Sequence, residues 1–209
     1  MGKGNFCRVS FWMRCIVSNK WKKGTIMKAE DYIIEQVPKL YTIIALKVFR
    51  HTPNVVFDVM PTKLIPRVDG LDRVIHTGPA ISPGSVGDVK RPWYMHPAQW
   101  DNLFVLYGER HVELYTPEHG KVEDFIVTPD YIEHNGKRVL DGGGILIWPT
   151  YVFHRVQSGP EGSRSINLAT REEGIDMRNN FDIYDLNVET GEYRVIREGY
   201  KDQNMDGVQ

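Results

Sequence analysis

Between Asn102 and Ala169 the chain repeats one pattern, a short apolar run rich in β-branched and aromatic residues followed by a turn-forming cluster. The runs are N-L-F-V-L-Y, H-V-E-L-Y, V-E-D-F-I-V, Y-I-E-H, G-I-L-I-W, V-F-H-R-V and R-S-I-N-L-A. Tyr107-Gly108, Pro117 to Gly120, Asn135-Gly136, Gly142 to Gly144 and Ser158 to Gly162 stand as turn signals between them. Strands this short, with no helical pattern between them, build a β-sandwich or barrel rather than βαβ units.

The flanks add a few elements. Ala29 to Val37 has helical spacing and stops at Pro38, which predicts a short N-terminal helix. Tyr41 to Phe49 is an apolar run that periodicity alone leaves as strand or helix. Val55 to Val59 and Asp72 to Thr77 read as strands within a segment punctuated by proline and glycine. Beyond Arg171, F-D-I-Y-D-L and E-Y-R-V-I flank the turn Glu189-Thr190-Gly191, a hairpin within residues 180–197. Residues 29–209 are therefore expected to form one all-β domain.

Charge and length narrow the function classes. The 209 residues carry a formal net charge of −1, and no basic patch interleaved with aromatics suggests nucleic acid. No apolar run approaches the roughly 18 residues that span a membrane. Two cysteines, Cys7 and Cys15, make no disulfide framework, and the expected compartment is the cytoplasm. Residues 1–28 hold seven lysines and arginines and no acid. They read as a basic arm, as an upstream extension of a chain starting at Met27, or as a signal peptide whose apolar run Arg8 and Arg14 interrupt.

The segment W-Y-M-H-P-A-Q-W-D-N-L-F-V-L-Y-G, Trp93 to Gly108, sets polar groups at the mouth of an apolar strand. Such groups need partners or a ligand, because an unpaired buried polar group costs about 1–3 kcal/mol. With Gly143-x5-Pro149-x-Tyr151-x2-His154 further on, this segment resembles the two motifs of the cupins, G-x5-H-x-H-x3,4-E-x6-G and G-x5-P-x-G-x2-H-x3-N. The resemblance runs from Arg91 to Arg171. His96 and Gly108 stand in their motif places, Asp101 replaces the glutamate, Tyr94 the first histidine, Tyr151 a glycine and Ser158 the asparagine.

The resemblance implies a jelly-roll barrel, or double-stranded β-helix, with a divalent metal (iron, manganese, nickel or zinc) held by His96, Asp101 and His154. Two imidazoles and a carboxylate leave coordination positions open, as non-haem iron sites do. It further implies an enzyme acting on a small organic molecule, of oxygenase, isomerase or lyase type, and a homodimer in which the strands between Tyr41 and Val59 pack or swap. By period two, Asp101, Leu103, Val105 and Tyr107 share a face. Tyr94 would bond a substrate or pack, and Gln99 would position substrate or donate its amide oxygen to the metal; these are the candidate catalytic residues. Arg91 would clamp a substrate carboxylate or lie in a solvated loop. Trp93 and Trp148 would wall the pocket or pack in the core. Asn167 would face the cavity or bond a neighbouring strand. Of the remaining histidines, only His76 is expected anywhere but the surface.

Two other readings stand beside the metalloenzyme. Sugar-nucleotide epimerases of this fold use a histidine and a tyrosine without metal, and His96 with Tyr94 would imitate that pair. A non-catalytic barrel that binds a small ligand is the other.

Overall fold

The computed structural model describes residues 28–204. The basic extension, with Cys7, Cys15 and Met27, lies outside the described residues. Two long strands organise everything else: β8, Gln99–Tyr115, and β13, Phe153–Arg171, run antiparallel along nearly their whole length. Both bend where glycines meet. Gly108 (φ +71°) and Gly162 (φ +76°) take left-handed backbone that only glycine adopts without strain. A Cβ on Gly108 would lie 2.1 Å from the Gly162 carbonyl oxygen, so the close approach also excludes any side chain. Tyr107-Gly108 and Ser158 to Gly162 are therefore bends inside continuous strands, where sequence suggests chain reversals.

The bend splits the sheet into two halves. One half joins the first part of β8 and the second part of β13 to β12 (Gly144–Trp148), β5 (Gly70–His76), β2 (Tyr41–Ala45) and β1 (Ile33–Val37). The other joins their remaining parts to β9 (Glu123–Val127), β10 (Tyr131–His134), β11 (Lys137–Asp141), β7 (Trp93–Met95) and β6 (Ile81–Ser82). β14 (Ile183–Leu186) and β15 (Tyr193–Arg197) extend this half, and form the hairpin expected within residues 180–197. All pairs are antiparallel. Leu103, Leu146 and Trp148 of the first half pack against Leu114, Phe125 and Val156 of the second. Leu114 and Phe125 are fully buried, and each such side chain contributes about 1.5–3 kcal/mol.

Three expectations are corrected. The N-terminal helix is a single 3-10 turn, Ala29–Tyr32, followed by β1. Ile33 to Val37 alternates in exposure and pairs with β2 around Lys39, so hairpin pairing overrides the helical spacing. No α-helix occurs among the described residues. The sheet order runs β1-β2-β12-β8-β13-β7-β14-β15 without its ends pairing. The expected barrel closure is thus not detected; the bent sheet lays one half over the other instead. Lastly, a register shift at Leu106 breaks the period-two face, leaving Tyr107 exposed while Asp101, Leu103 and Val105 point inward.

The run Tyr41 to Phe49 resolves into two strands, β2 and β3 (Lys47–Thr52). β3 pairs only with β4 (Val55–Val59), as a separate two-stranded sheet. Asn135-Gly136 makes the β10–β11 hairpin turn with both residues at positive φ.

Candidate metal centre

His154 enters the interior near the start of β13, and Asp101 near the start of β8. His96 follows β7, where Pro97 ends the strand before β8 begins. Since β7 and β8 both pair with β13, three segments distant in sequence bring their side chains together. The exposures of His96, Asp101 and His154 are 4%, 6% and 5%. His96 Nε2 lies 3.3 Å from Asp101 Oδ2 and His154 Nε2 lies 3.7 Å from the same oxygen. One ligand atom from each residue falls within 4.8 Å of the others, so the group could hold a metal ion.

Hydrogen bonds fix which atoms are free. His96 Nδ1 contacts the Asn180 carbonyl oxygen, and His154 Nδ1 lies 3.1 Å from the Val152 carbonyl oxygen. A carbonyl only accepts, so both Nδ1 atoms carry the proton and both Nε2 atoms present lone pairs. Asp101 Oδ1 accepts from Gln99 Nε2 at 2.9 Å and Asn167 Nδ2 at 2.6 Å, which leaves Oδ2. Three acceptor atoms thus face one another in a buried site. A proton or a metal ion would relieve that arrangement. Histidines that donate their second nitrogen to a carbonyl are the usual pattern around a bound metal.

The titration behaviour follows from the same geometry. Burial opposes the charge of Asp101, but the neighbouring imidazoles and the bonds from His96 and Gln99 outweigh it and hold the carboxyl far below the usual range. Burial likewise disfavours charged His96, yet Asp101 raises it above 6.5. Burial and the charge of His96 push His154 down to about 4. His154 is therefore neutral at pH 7, while Asp101 favours the protonated form of His96.

A cavity of about 340 Å³ opens onto these three residues, with Tyr94, Gln99 and Asn167 also lining it. The volume sits at the small end of the range for ligand pockets. The Tyr94 ring lies 5.9 Å from that of His154; burial raises its hydroxyl above 10, against a hydrogen bond from Ser82. Gln99 and Asn167 are holders of Asp101, and the Gln99 amide oxygen is 3.4 Å from Arg171 Nε rather than free for an ion. Asn167 lines the cavity and also accepts from the Asn102 backbone N–H at 2.7 Å, so the two alternatives do not exclude each other.

Arg91 and Trp93 lie elsewhere. Arg91 donates to Glu113 (2.9 Å) and Gln157 (2.8 Å), and Trp93 packs with Tyr115 and Phe153 beneath the Arg155 guanidinium. Their neighbours on β13 and β8 point away from the cavity. Trp148 lines it, and its indole Nε1–H is buried with no partner among the described residues, as is Ser165 Oγ. Sequence reading missed Asp72, Arg110, Ser165 and Phe181 on the cavity wall. His76, the one exception allowed, is there.

No family model matches the chain, and no curated protein does. Among solved structures, it is similar to the X-ray structure of the WlaRB TDP-quinovose 3,4-ketoisomerase from Campylobacter jejuni. That likeness is 12% in identity, covers 66% of this chain and 88% of that one, and has a TM-score of 0.43. The chain has an all-β, antiparallel fold with a buried His-Asp-His group.

Proposed function

We propose that this chain is a metal-dependent enzyme acting on a small organic molecule, of isomerase, lyase or oxygenase type. The observation that supports it is the convergence of two imidazole Nε2 atoms and one carboxylate oxygen at the wall of a small cavity. His96, Asp101 and His154 would hold a divalent ion. When bound, that ion supplies Lewis-acid polarisation of a substrate oxygen.

The protein's own groups do the rest. Gln99 and Asn167 keep Oδ2 of Asp101 aimed at the ion site. Trp148 Nε1–H, otherwise unpaired at a cost of about 1–3 kcal/mol, donates to a substrate acceptor. Tyr94, held as a neutral phenol, is placed to give a proton to the substrate. The apolar walls, Leu103 and Val156 among them, exclude water and strengthen these contacts.

Elemental analysis of purified protein tests the reading. About one divalent ion per chain is expected, lost on dialysis against a chelator, regained on reloading, and absent from His154→Ala. Native protein that holds no metal and cannot be loaded overturns it, and would leave His96 and Tyr94 as a metal-free acid–base pair.

We also propose a homodimer assembled through the β3–β4 hairpin. Phe49, Val56 and Phe57 are 68%, 60% and 51% exposed on strands that pair with nothing else among the described residues. Apolar patches of this kind mark interfaces. Sedimentation should give a dimer, and Phe49→Ser with Phe57→Ser a monomer; a monomeric parent protein refutes this.

A further inference from the structure

Arg110 is an anomaly of the interior. It is 4% exposed, yet no carboxylate pairs with it among the described residues. Its Nε donates to Ser163 Oγ at 3.0 Å and its Nη2 to the Val74 carbonyl oxygen at 3.3 Å. Those neutral acceptors leave the charge uncompensated, and burial alone drags the guanidinium down to about 10. A buried cation without a counter-ion is strongly unfavourable. Arg110 nonetheless lines the same cavity as the His-Asp-His group.

Strand register shows where it stands. Along β13 and β5 the inward pairs are Asn167 with Asp72, Ser165 with Val74, and Ser163 with His76. Along β13 and β8 they include Val156 with Val112 and Ser158 with Arg110. The cavity wall is therefore layered. The first layer holds His154, Asp101, Asn167 and Asp72. Two residues further along each strand, about 7 Å, comes an apolar layer of Val74, Val156 and Leu103 broken only by the unpaired Ser165 hydroxyl. The third layer holds Arg110, His76, Ser158 and Ser163, tied together by bonds of 2.7 Å from His76 Nδ1 to Ser158 Oγ and from Ser158 Oγ to Ser163 Oγ.

The two polar layers differ in sign. Asp72, the other acid on the wall, is held by Arg171 at 3.4 Å and Asn167 at 3.3 Å and does not reach Arg110. Burial and the nearby guanidinium push His76 down to about 4, so at pH 7 the third layer carries one positive charge.

We propose that Arg110 is the anchor for a carboxylate of the substrate, so that the cavity takes a small organic acid reaching from the guanidinium to the His-Asp-His group. This rests on the proposed function for the far end of the molecule, and on Arg110 itself for the near end. The single charge matches a carboxylate better than a phosphate, which carries nearly two at neutral pH. A guanidinium fork receives both carboxylate oxygens at once, and Ser165 lies in the layer between to donate to a group further along the chain. The apolar middle layer fits a short methylene stretch.

Calorimetric titration with glutarate, using protein as purified and protein stripped with chelator, tests this. Parallel titrations use Arg110→Gln and Arg110→Lys, each checked for a cooperative thermal transition and for metal content. Glutarate is expected to bind the native protein, Arg110→Gln to weaken it at least tenfold in both metal states, and Arg110→Lys to fall between. Metal content should not change in either variant. Equal affinity in native protein and Arg110→Gln, or no glutarate binding by the native protein, overturns the anchor. Tighter binding of inorganic phosphate than of glutarate overturns the choice of a carboxylate. Protein that never binds metal but binds glutarate through Arg110 would end the metalloenzyme reading and leave the anchor standing. Should Arg110→Gln fail to melt cooperatively, Arg110→Lys decides, since unchanged affinity there removes the need for a guanidinium fork.

Discussion

Two clusters in this molecule have the same parts list, a carboxylate between two imidazoles, and opposite chemistry. In the first, His96 and His154 flank Asp101. In the second, His119 Nε2 and His134 Nε2 each lie 2.8 Å from one oxygen of Glu123. Glu123 also accepts from Asn135 at 2.5 Å and Lys121 at 3.2 Å, while His134 Nδ1 lies 3.1 Å from Glu35. Both imidazole nitrogens of His134 thus face carboxylates, and both oxygens of Glu123 have donors. Around Asp101 the outer nitrogens face carbonyls instead, so the inner ones are bare. What separates a candidate metal centre from a structural salt-bridge network is therefore the partner of the far nitrogen.

The largest expected effects break this contrast from both sides. Asp101→Asn removes the only free anionic oxygen of the first cluster and should abolish metal loading in elemental analysis. Glu123→Gln should leave metal content unchanged and cost roughly 1–3 kcal/mol of stability in urea unfolding, because one amide oxygen replaces two carboxylate oxygens that serve four donor residues. Metal loss in Glu123→Gln would erase the distinction. The acid limb offers a second check. The donors around Glu123, working against burial, lower its carboxyl from 4.5 to about 2. A depressed acid stabilises the fold above its unfolded value, so this contribution is present above pH 4.5 and disappears as pH falls towards 2. Glu123→Gln should flatten the melting-temperature profile in that window.

A smaller effect is expected one step out from the ion. Asn167 donates to Asp101 Oδ1, and Asn167→Ala should lower metal affinity about 10- to 100-fold, as loss of such supporting bonds does elsewhere. Competition with a metal-sensitive dye would measure it. Unchanged affinity would mean that Gln99 alone orients the carboxylate.

Some of this was legible in sequence. The motif places gave His96, Asp101 and His154, and the Asn-Gly pair gave the β10–β11 turn. The carbonyls of Asn180 and Val152, which decide the tautomers, have no side-chain signal and belong to a turn and a loop. Arg110 was hidden by a parity change. Val105 pairs with Ser165 but Tyr107 with Arg164, so the shift at Leu106 turns inward-facing odd positions into even ones. Period-two reading from Asp101 therefore places Tyr107 inside and Arg110 outside, both reversed. The helical spacing of Ala29 to Val37 misled because Ile33 and Val37 also satisfy alternation, and only the pairing with β2 selects between the two.

Proton release should sharpen the same comparison. Burial works against charge on His96, but Asp101 outweighs it and raises the ring above 6.5. The resulting pair stabilises the metal-free protein below pH 6.5, and that stabilisation is lost as pH rises through the raised value. Metal affinity moves the other way, since an ion must displace the His96 proton. Binding below the raised value is expected to release a proton, with the release fading as pH rises through it, read from calorimetry in buffers of different ionisation enthalpy. No release would mean that His96 is already neutral, and that Asp101 does not control it.

The smallest effect concerns the turn that bonds to the His96 backbone. Tyr151 occupies the glycine place of the second motif with φ at +63°, and its N–H donates to the His96 carbonyl oxygen at 2.9 Å. An L-residue in that conformation costs roughly 1–2 kcal/mol. Its ring is 63% exposed, so little packing offsets the strain. Tyr151→Gly relieves it but adds freedom to the unfolded chain, worth about 0.5–1 kcal/mol against folding. The net expectation is a gain of about 0.5 kcal/mol in urea unfolding, with metal content unchanged, because the backbone bond to His96 survives the substitution. A clear loss of stability would show that the Tyr151 ring itself holds the turn.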